Sequence, residues 1–383
     1  MVSYSGIRLY IFITVKYMHL TNNKEGMADP KIDEHSILVL NMARTLGASS
    51  VGITTKETMG SNDPTTSYDY VLKGARSAVT FAVPFGEGDI EGAIDRSLSK
   101  KDHKTLERMK VRATTLANGI AFEISGLLNQ IGCEAVPVNA NYVYRSDRPA
   151  EERAPPLSHK LLALRSGVGY AGFSGMVLTK EHGACIALAS VVTKAELRPT
   201  PALPAEDNYC DRCKLCVTVC LSDYITSDTI HGTIGTTLYT ISKKGNPMRC
   251  AFVCGGATGK THKAEWTTWS PAEFDVPDDD QSMLIKLQTK AQPAQIRRSK
   301  EVGFEGGFFH PFYPGYQTEY TCSLCQYICH PDKSVRLHRF KLIQESGVSV
   351  PNEDSGYRAV KPEEAKAVFG QMPKDKRKMY VED

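Results

Sequence analysis

The sequence predicts an α+β fold on three observations. Helix-period and strand-like segments alternate between Ile32 and Thr193, a proline-rich stretch from Leu197 to Glu206 breaks the pattern, and seven of the eleven cysteines then follow in two tight clusters. The alternation argues for a layered α/β or α+β unit. The clusters argue for a second unit built around metal, because such tight spacing suits a metal better than a disulfide framework. With 383 residues, 41 % of them hydrophobic, the chain can form about two units of ~100–200 residues each. A net charge of +3, from 46 basic and 43 acidic residues, neither requires nor excludes a nucleic-acid partner.

Residues 1–26 are expected to be an extension outside the fold, with Met27 a natural alternative start. Their apolar stretch, broken by Arg8 and Lys16, is shorter than the ~20 residues a bilayer span needs. With no leader pattern either, the chain is expected to be cytoplasmic and to have no membrane span.

The first unit is placed at 27–205. Ile37, Leu38, Leu40, Met42 and Leu46 share a helical face that Gly47 ends, and "SSVGITT" follows as a strand. A short helix in "SYDYVLKGA" precedes a strand at Ser77–Phe85. Leu106, Met109, Val111, Leu116, Ile120, Ile124, Leu127 and Leu128 predict one long helix or a broken pair over Lys104–Ile131, and Cys133–Val138 is a further strand. After a charged loop, Arg145–Arg153, come a short helix, a glycine-rich bend and strands at Met176–Thr179 and Ala184–Thr193. The second unit is placed at 206–340 with an insertion at 255–318, and 341–383 is a charged tail.

Cys210, Cys213, Cys216 and Cys220 follow C-x2-C-x2-C-x3-C, the spacing of bacterial two-cluster ferredoxins. A short loop can wrap three corners of a cubane cluster, while the fourth cysteine points away and serves another. The partner motif is C-x2-C-x3-C at Cys322, Cys325 and Cys329. Two 4Fe-4S clusters then divide the thiols: Cys210, Cys213, Cys216 and Cys329 for one, and Cys220, Cys322, Cys325 with either Cys250 or Cys254 for the other. Cys133 and Cys185 are expected as buried small hydrophobes. Structural zinc is the competing reading, but it usually takes two separated pairs. Leu221 and His330 stand where ferredoxin motifs place proline. "GGATGKT" is no phosphate-binding loop, since Cys254 occupies the position of its first glycine.

The order of mixed domain, "GVGYAGFSGMVLT" bend, four-cysteine motif, isolated "RC" and three-cysteine motif resembles epoxyqueuosine reductases and the related corrinoid reductive dehalogenases. The resemblance covers about residues 30–335. It implies a nitroreductase-like mixed domain followed by a two-cluster ferredoxin-like domain, with cobalamin held base-off between them. It implies Cys250 as the eighth ligand, and Gly167, Gly169, Gly172 and Gly175 where backbone approaches the cofactor. The family's acid before an Ala-Pro step falls on Glu152 or Arg153, and the tyrosine donor of its dehalogenases on Tyr142 with Tyr144 and Arg145 nearby. A carboxyl could donate a proton here only if burial raised its pKa.

The activity implied is an oxidoreductase that passes electrons through two 4Fe-4S clusters to a corrinoid and on to a small-molecule or modified-nucleoside substrate. Its electron donor would be a ferredoxin or flavodoxin. The alternative is a ferredoxin-type accessory subunit with no substrate of its own. Because the tail is no clear match to elements that grip transfer RNA, such a partner rests on the resemblance alone.

Overall fold

Residues described by the computed structural model are 30–94, 103–138, 144–149, 152, 154–259, 266–267, 270–276, 282, 286, 308–309, 317–318, 322–351 and 357–381. Helix α1 (Pro30–Thr45) ends before Gly47, which sits at φ +111 as a helix-stopping glycine can. Then come β1 (Ser50–Thr55), β2 (Ser77–Pro84), α2 (Glu87–Ile94) and α3 (His103–Gln130), the last a single helix and not a broken pair. The expected helix in "SYDYVLKGA" is only a turn of 3-10 helix at Tyr68–Tyr70. There the Asp69 carboxylate accepts from the Gly74 N–H at 2.7 Å, and Gly74, at φ +81, reverses the chain.

The chain continues through β3 (Ala135–Val138), α4 (His159–Arg165), the ladder of β4 (Tyr170–Ala171) with β5 (Val177–Leu178), and β6 (Ile186–Thr193). The main sheet has the order β1-β2-β6-β3 and every pairing is antiparallel, so the first half is α+β and not a parallel α/β fold. Period-two alternation explains its burial on both faces. Val79, Phe81 and Val83 of β2 join the core formed with α1 and α3, whereas Ala78 and Ala82 join Leu162 and Leu164 of α4 on the opposite side.

Beyond an irregular stretch around Ala205–Asp207 lie α5 (Leu215–Thr218), a long hairpin of β7 (Ile225–Ile234) and β8 (Thr237–Lys244), and α6 (Pro247–Cys254). The hairpin turn reaches back to the first half of the chain: a Cβ on Gly235 would lie 2.4 Å from the Thr58 carbonyl oxygen and 2.8 Å from the Arg165 guanidinium. Helices α7 (Leu324–Tyr327) and α8 (Lys333–Glu345) follow, then a hairpin of β9 (Val348–Pro351) and β10 (Tyr357–Val360), and α9 (Pro362–Gln371).

A single apolar core extends from Val39 and Ile124 through Leu197 into Cys216, Val219, Tyr327 and Ile343. The tail forms its own small core from Val348, Val350, Val360, Phe369 and Tyr380, which its charge-rich sequence did not suggest. Among the described residues no helix is long and apolar enough to cross a membrane.

Candidate metal centre

Two short helices place the cysteine motifs. Cys216 is the second residue of α5 and Cys325 the second of α7, and these helices pack on each other. Before α5 the chain coils tightly: Arg212 and Lys214 sit at φ 55 and 59, a left-handed conformation unusual for residues with side chains. Side-chain acceptors fix this loop, since Asn208 Oδ1 accepts from the Cys210 N–H at 3.1 Å and Asp211 Oδ1 from the Cys213 N–H at 3.2 Å. Before α7, Ser323 plays the corresponding part at φ 147.

The thiols fall into two groups according to which neighbours they repel. Cys216 is pushed up to about 12 by burial and then by Cys210 and Cys213. Burial also raises Cys329, followed by Cys210, Cys216 and Cys213, although Cys329 lies on the other motif. The second group is joined the same way: burial, then Cys322, Cys250 and Cys220, raises Cys325. Hydrogen bonds to Cys250, whose Sγ lies 3.9 Å away, and to Cys322 raise Cys254 and lower both of those partners. Cys220 and Cys329 therefore each sit with the cysteines of the opposite motif. Among the described residues, all eleven cysteines are free, and no three or more His, Cys, Asp or Glu side chains converge on a single-ion site.

This donor set fits a cationic iron–sulfur core. Crowded, buried thiols resist ionisation, and bound metal supplies the positive charge that lets them become ligands. Polar hydrogens already point at the sulfurs: the Phe173 N–H lies 3.3 Å from Cys210 Sγ and the Ile225 N–H 3.4 Å from Cys220 Sγ. Arg336 Nη1 lies 3.8 Å from Cys213 Sγ and 2.8 Å from Asp211 Oδ1. Hydrogen bonds to sulfur are one of the protein's means of tuning such a cluster.

Three lysines not singled out from the sequence surround the second group. Lys110 of α3 is buried and donates to Ser323 Oγ. Lys160 of α4 is exposed, and Cys325 and Cys250 act on it through space. Lys244 is brought down to about 8 by burial and by Lys160, and its Nζ donates to the Ser174 carbonyl at 2.6 Å.

Over 65 residues the chain is 38 % identical to the epoxyqueuosine reductase of Atelocyanobacterium thalassa (isolate ALOHA). The chain is similar to the epoxyqueuosine reductases. That match takes in 17 % of this chain and spans only 20 % of the relative. No family model matches the chain. Among solved structures, the epoxyqueuosine reductase from Bacillus subtilis aligns at 15 % identity with a TM-score of 0.41, covering 91 % of this chain and 78 % of that one. An epoxyqueuosine reductase with an epoxyqueuosine-modified tRNA stem loop aligns at 14 % with a TM-score of 0.40, covering 82 % and 83 %. A reductive dehalogenase, described as suggesting a mechanism for B12-dependent dehalogenation, aligns at 17 % and 0.44, covering 65 % and 34 %.

Glu152 is exposed and paired with Arg148 at 2.9 Å. Tyr142 and Arg153 lie outside the described residues, as do residues 1–26 and much of the insertion. Arg145 is buried in a structural clamp, bound to Asp147 through two hydrogen bonds and stacked on Tyr70 at 3.8 Å. The four glycines are closely approached by the chain's own atoms. A Cβ would meet the Pro201 oxygen at 2.3 Å from Gly167, the Leu178 oxygen at 2.7 Å from Gly169, the Leu178 side chain at 2.9 Å from Gly172 and Lys244 at 3.0 Å from Gly175. Cys185 is buried as expected, within 3.4 Å of the Gln326 carbonyl oxygen, while Cys133 is half-buried beside His35.

Proposed function

We propose that the chain is an iron–sulfur oxidoreductase. In this reading Cys210, Cys213, Cys216 and Cys329 hold one 4Fe-4S cluster, and Cys220, Cys322, Cys325 and Cys250 hold the second, with Cys254 as an additional thiol beside it. The supporting observation is the exchange of Cys220 and Cys329 between the two thiol groups, an arrangement that two-cluster ferredoxin spacing requires. Residues 206–340 form the electron-transfer unit and 27–205 the unit that receives the electrons. A cluster supplies single-electron transfer when bound; the chain supplies ligands, hydrogen bonds to sulfur and exclusion of water.

The likeness to epoxyqueuosine reductases extends the proposal to a reductase of a small molecule or modified nucleoside, with cobalamin as the inherited acceptor and a ferredoxin or flavodoxin as donor. No step is assigned to cobalamin. The exposure of Glu152 favours a second reading, a ferredoxin-type subunit that hands electrons to a partner enzyme.

Anaerobic reconstitution with iron, sulfide and cobalamin, followed by metal analysis and spectroscopy, tests both readings. About eight irons with one cobalt per chain supports the reductase, about eight irons without cobalt supports the electron-transfer subunit, and iron-free protein with zinc overturns both.

A further inference from the structure

Arg336 lies on α8 and is 5 % exposed. Its guanidinium presents five N–H groups in a rigid fork and stays charged: burial works against the charge, but the hydrogen bond and carboxylate of Asp211 outweigh it. One edge of the fork holds Asp211, with Nη1 at 2.8 Å from Oδ1 and Nη2 at 3.4 Å from Oδ2. Nη1 also lies 3.8 Å from Cys213 Sγ, and Cys213 and Cys329 act on the guanidinium through space. These two thiols come from opposite cysteine motifs, so Arg336 stands where the first group is joined. Its remaining donor, Nε, is buried and has no partner among the described residues.

A buried N–H without an acceptor is costly, and a structure that keeps one usually has a use for it. The neighbours of Arg336 narrow that use: they are the Asp211 carboxylate, already held by the other edge of the fork, and sulfur. The sulfurs of an iron–sulfur cluster accept N–H donors, and such hydrogen bonds help to set its potential. Arg339, one helical turn on, is placed differently, with the Glu91 carboxylate 4.0 Å from its Nε and the Tyr327 carbonyl 3.0 Å from its Nη1. Lys333 reaches Asp211 at 3.7 Å but is 68 % exposed, so solvent screens it. Because Asp211 offsets the charge of Arg336, directional N–H donation is what the residue has left to offer the first group.

We propose that Arg336 tunes the first cluster: it fixes the loop between Cys210 and Cys213 through Asp211 and gives its Nε hydrogen to a sulfur of that cluster, which favours the reduced form and raises the reduction potential. The step it favours is the gain of one electron by the oxidised cluster; no atom is transferred. The electron comes from an external one-electron donor, dithionite in the test below. Arg336 is a positioning residue and not a ligand. The inference rests on the two-cluster reading above.

The test is an EPR-monitored redox titration of reconstituted full-length protein, with iron measured first and Cys216→Ser used to identify the signal of the first group. Arg336→Met, which loses both the fork and the Nε donor, is expected to lower the iron of the first group and to shift its midpoint potential to more negative values, leaving the second in place. Arg336→Lys keeps a cation for Asp211 but has no Nε. It is expected to keep the iron and still show a negative shift of the first cluster, and it carries the test if Arg336→Met fails to load. An unmoved first potential in either iron-loaded variant, equal shifts of both clusters, or loss of first-group iron in both variants overturns the assignment of Arg336 alone. Wild-type protein without iron overturns the cluster reading itself.

Discussion

The two thiol groups are built from matching parts but sit in different environments. In each, a short helix carries a cysteine at its second position and a later cysteine crosses to the opposite group. The first reaches the surface at Cys213, and its loop is tied by Asp211 and Arg336. The second lies beside a buried lysine, with two further lysines in reach of its thiols. In the two-cluster reading, matching ligand sets would thus sit in different electrostatic surroundings, and surroundings tune the potential of a cluster.

The largest expected effect comes from removing ligands. Cys325→Ser, which takes a ligand from the half-buried second group, should remove up to about half of the iron, whereas Cys213→Ser at the exposed corner, where water can enter, should lose less; iron analysis after reconstitution separates them. Equal losses would erase the contrast between the groups. Next comes Gly183→Ala. Gly183 is at φ +57, and a Cβ there would lie 2.2 Å from the Cys329 carbonyl oxygen. A cost of about 1–3 kcal/mol in denaturant unfolding is expected, with iron loss confined to the first group.

A smaller effect concerns acid. Burial raises the Asp211 carboxyl, but the charge and hydrogen bond of Arg336 outweigh it and hold the group below the ordinary aspartate range. A depressed carboxyl stabilises above its unfolded value, about pH 4, and that contribution disappears as pH falls through the folded value. Asp211→Asn should therefore release iron from the first group at higher pH than wild type and leave the second unchanged, as followed by the visible absorption of each cluster. The smallest effect is expected at Glu152. Its exposed pair with Arg148 predicts that Glu152→Gln changes stability by less than about 0.5 kcal/mol and leaves the iron content intact.

Where burial follows a simple period, the sequence was readable. The α3 stripe and the buried strands β1, β2 and β6 lie close to their expected positions because apolar side chains repeat at helix or strand spacing. Lys110 lies on the same helix three residues before the buried Ala113, on the inward face, and was not singled out because a buried lysine breaks the apolar period. The β7–β8 hairpin escaped notice because most of β7 is exposed on both sides, so Thr, Ser, Asp and His residues mask the alternation. Cysteine spacing suggested the grouping of the thiols but not the choice between Cys250 and Cys254. These residues are one helical turn apart on α6, and both reach the second group. At the glycines the sequence carries two demands at once, since close packing by the chain itself requires glycine as strictly as a cofactor would.

The exchange of Cys220 and Cys329 also bears on biosynthesis. Cys210, Cys213 and Cys216 leave the ribosome early, but their fourth partner is encoded more than a hundred residues later. A nascent chain halted just before Cys329 holds all four cysteines of the second group but presents an open three-thiol loop at the first. In the two-cluster reading the second site can therefore close before the first, and a chain truncated there would expose reactive thiols to quality control.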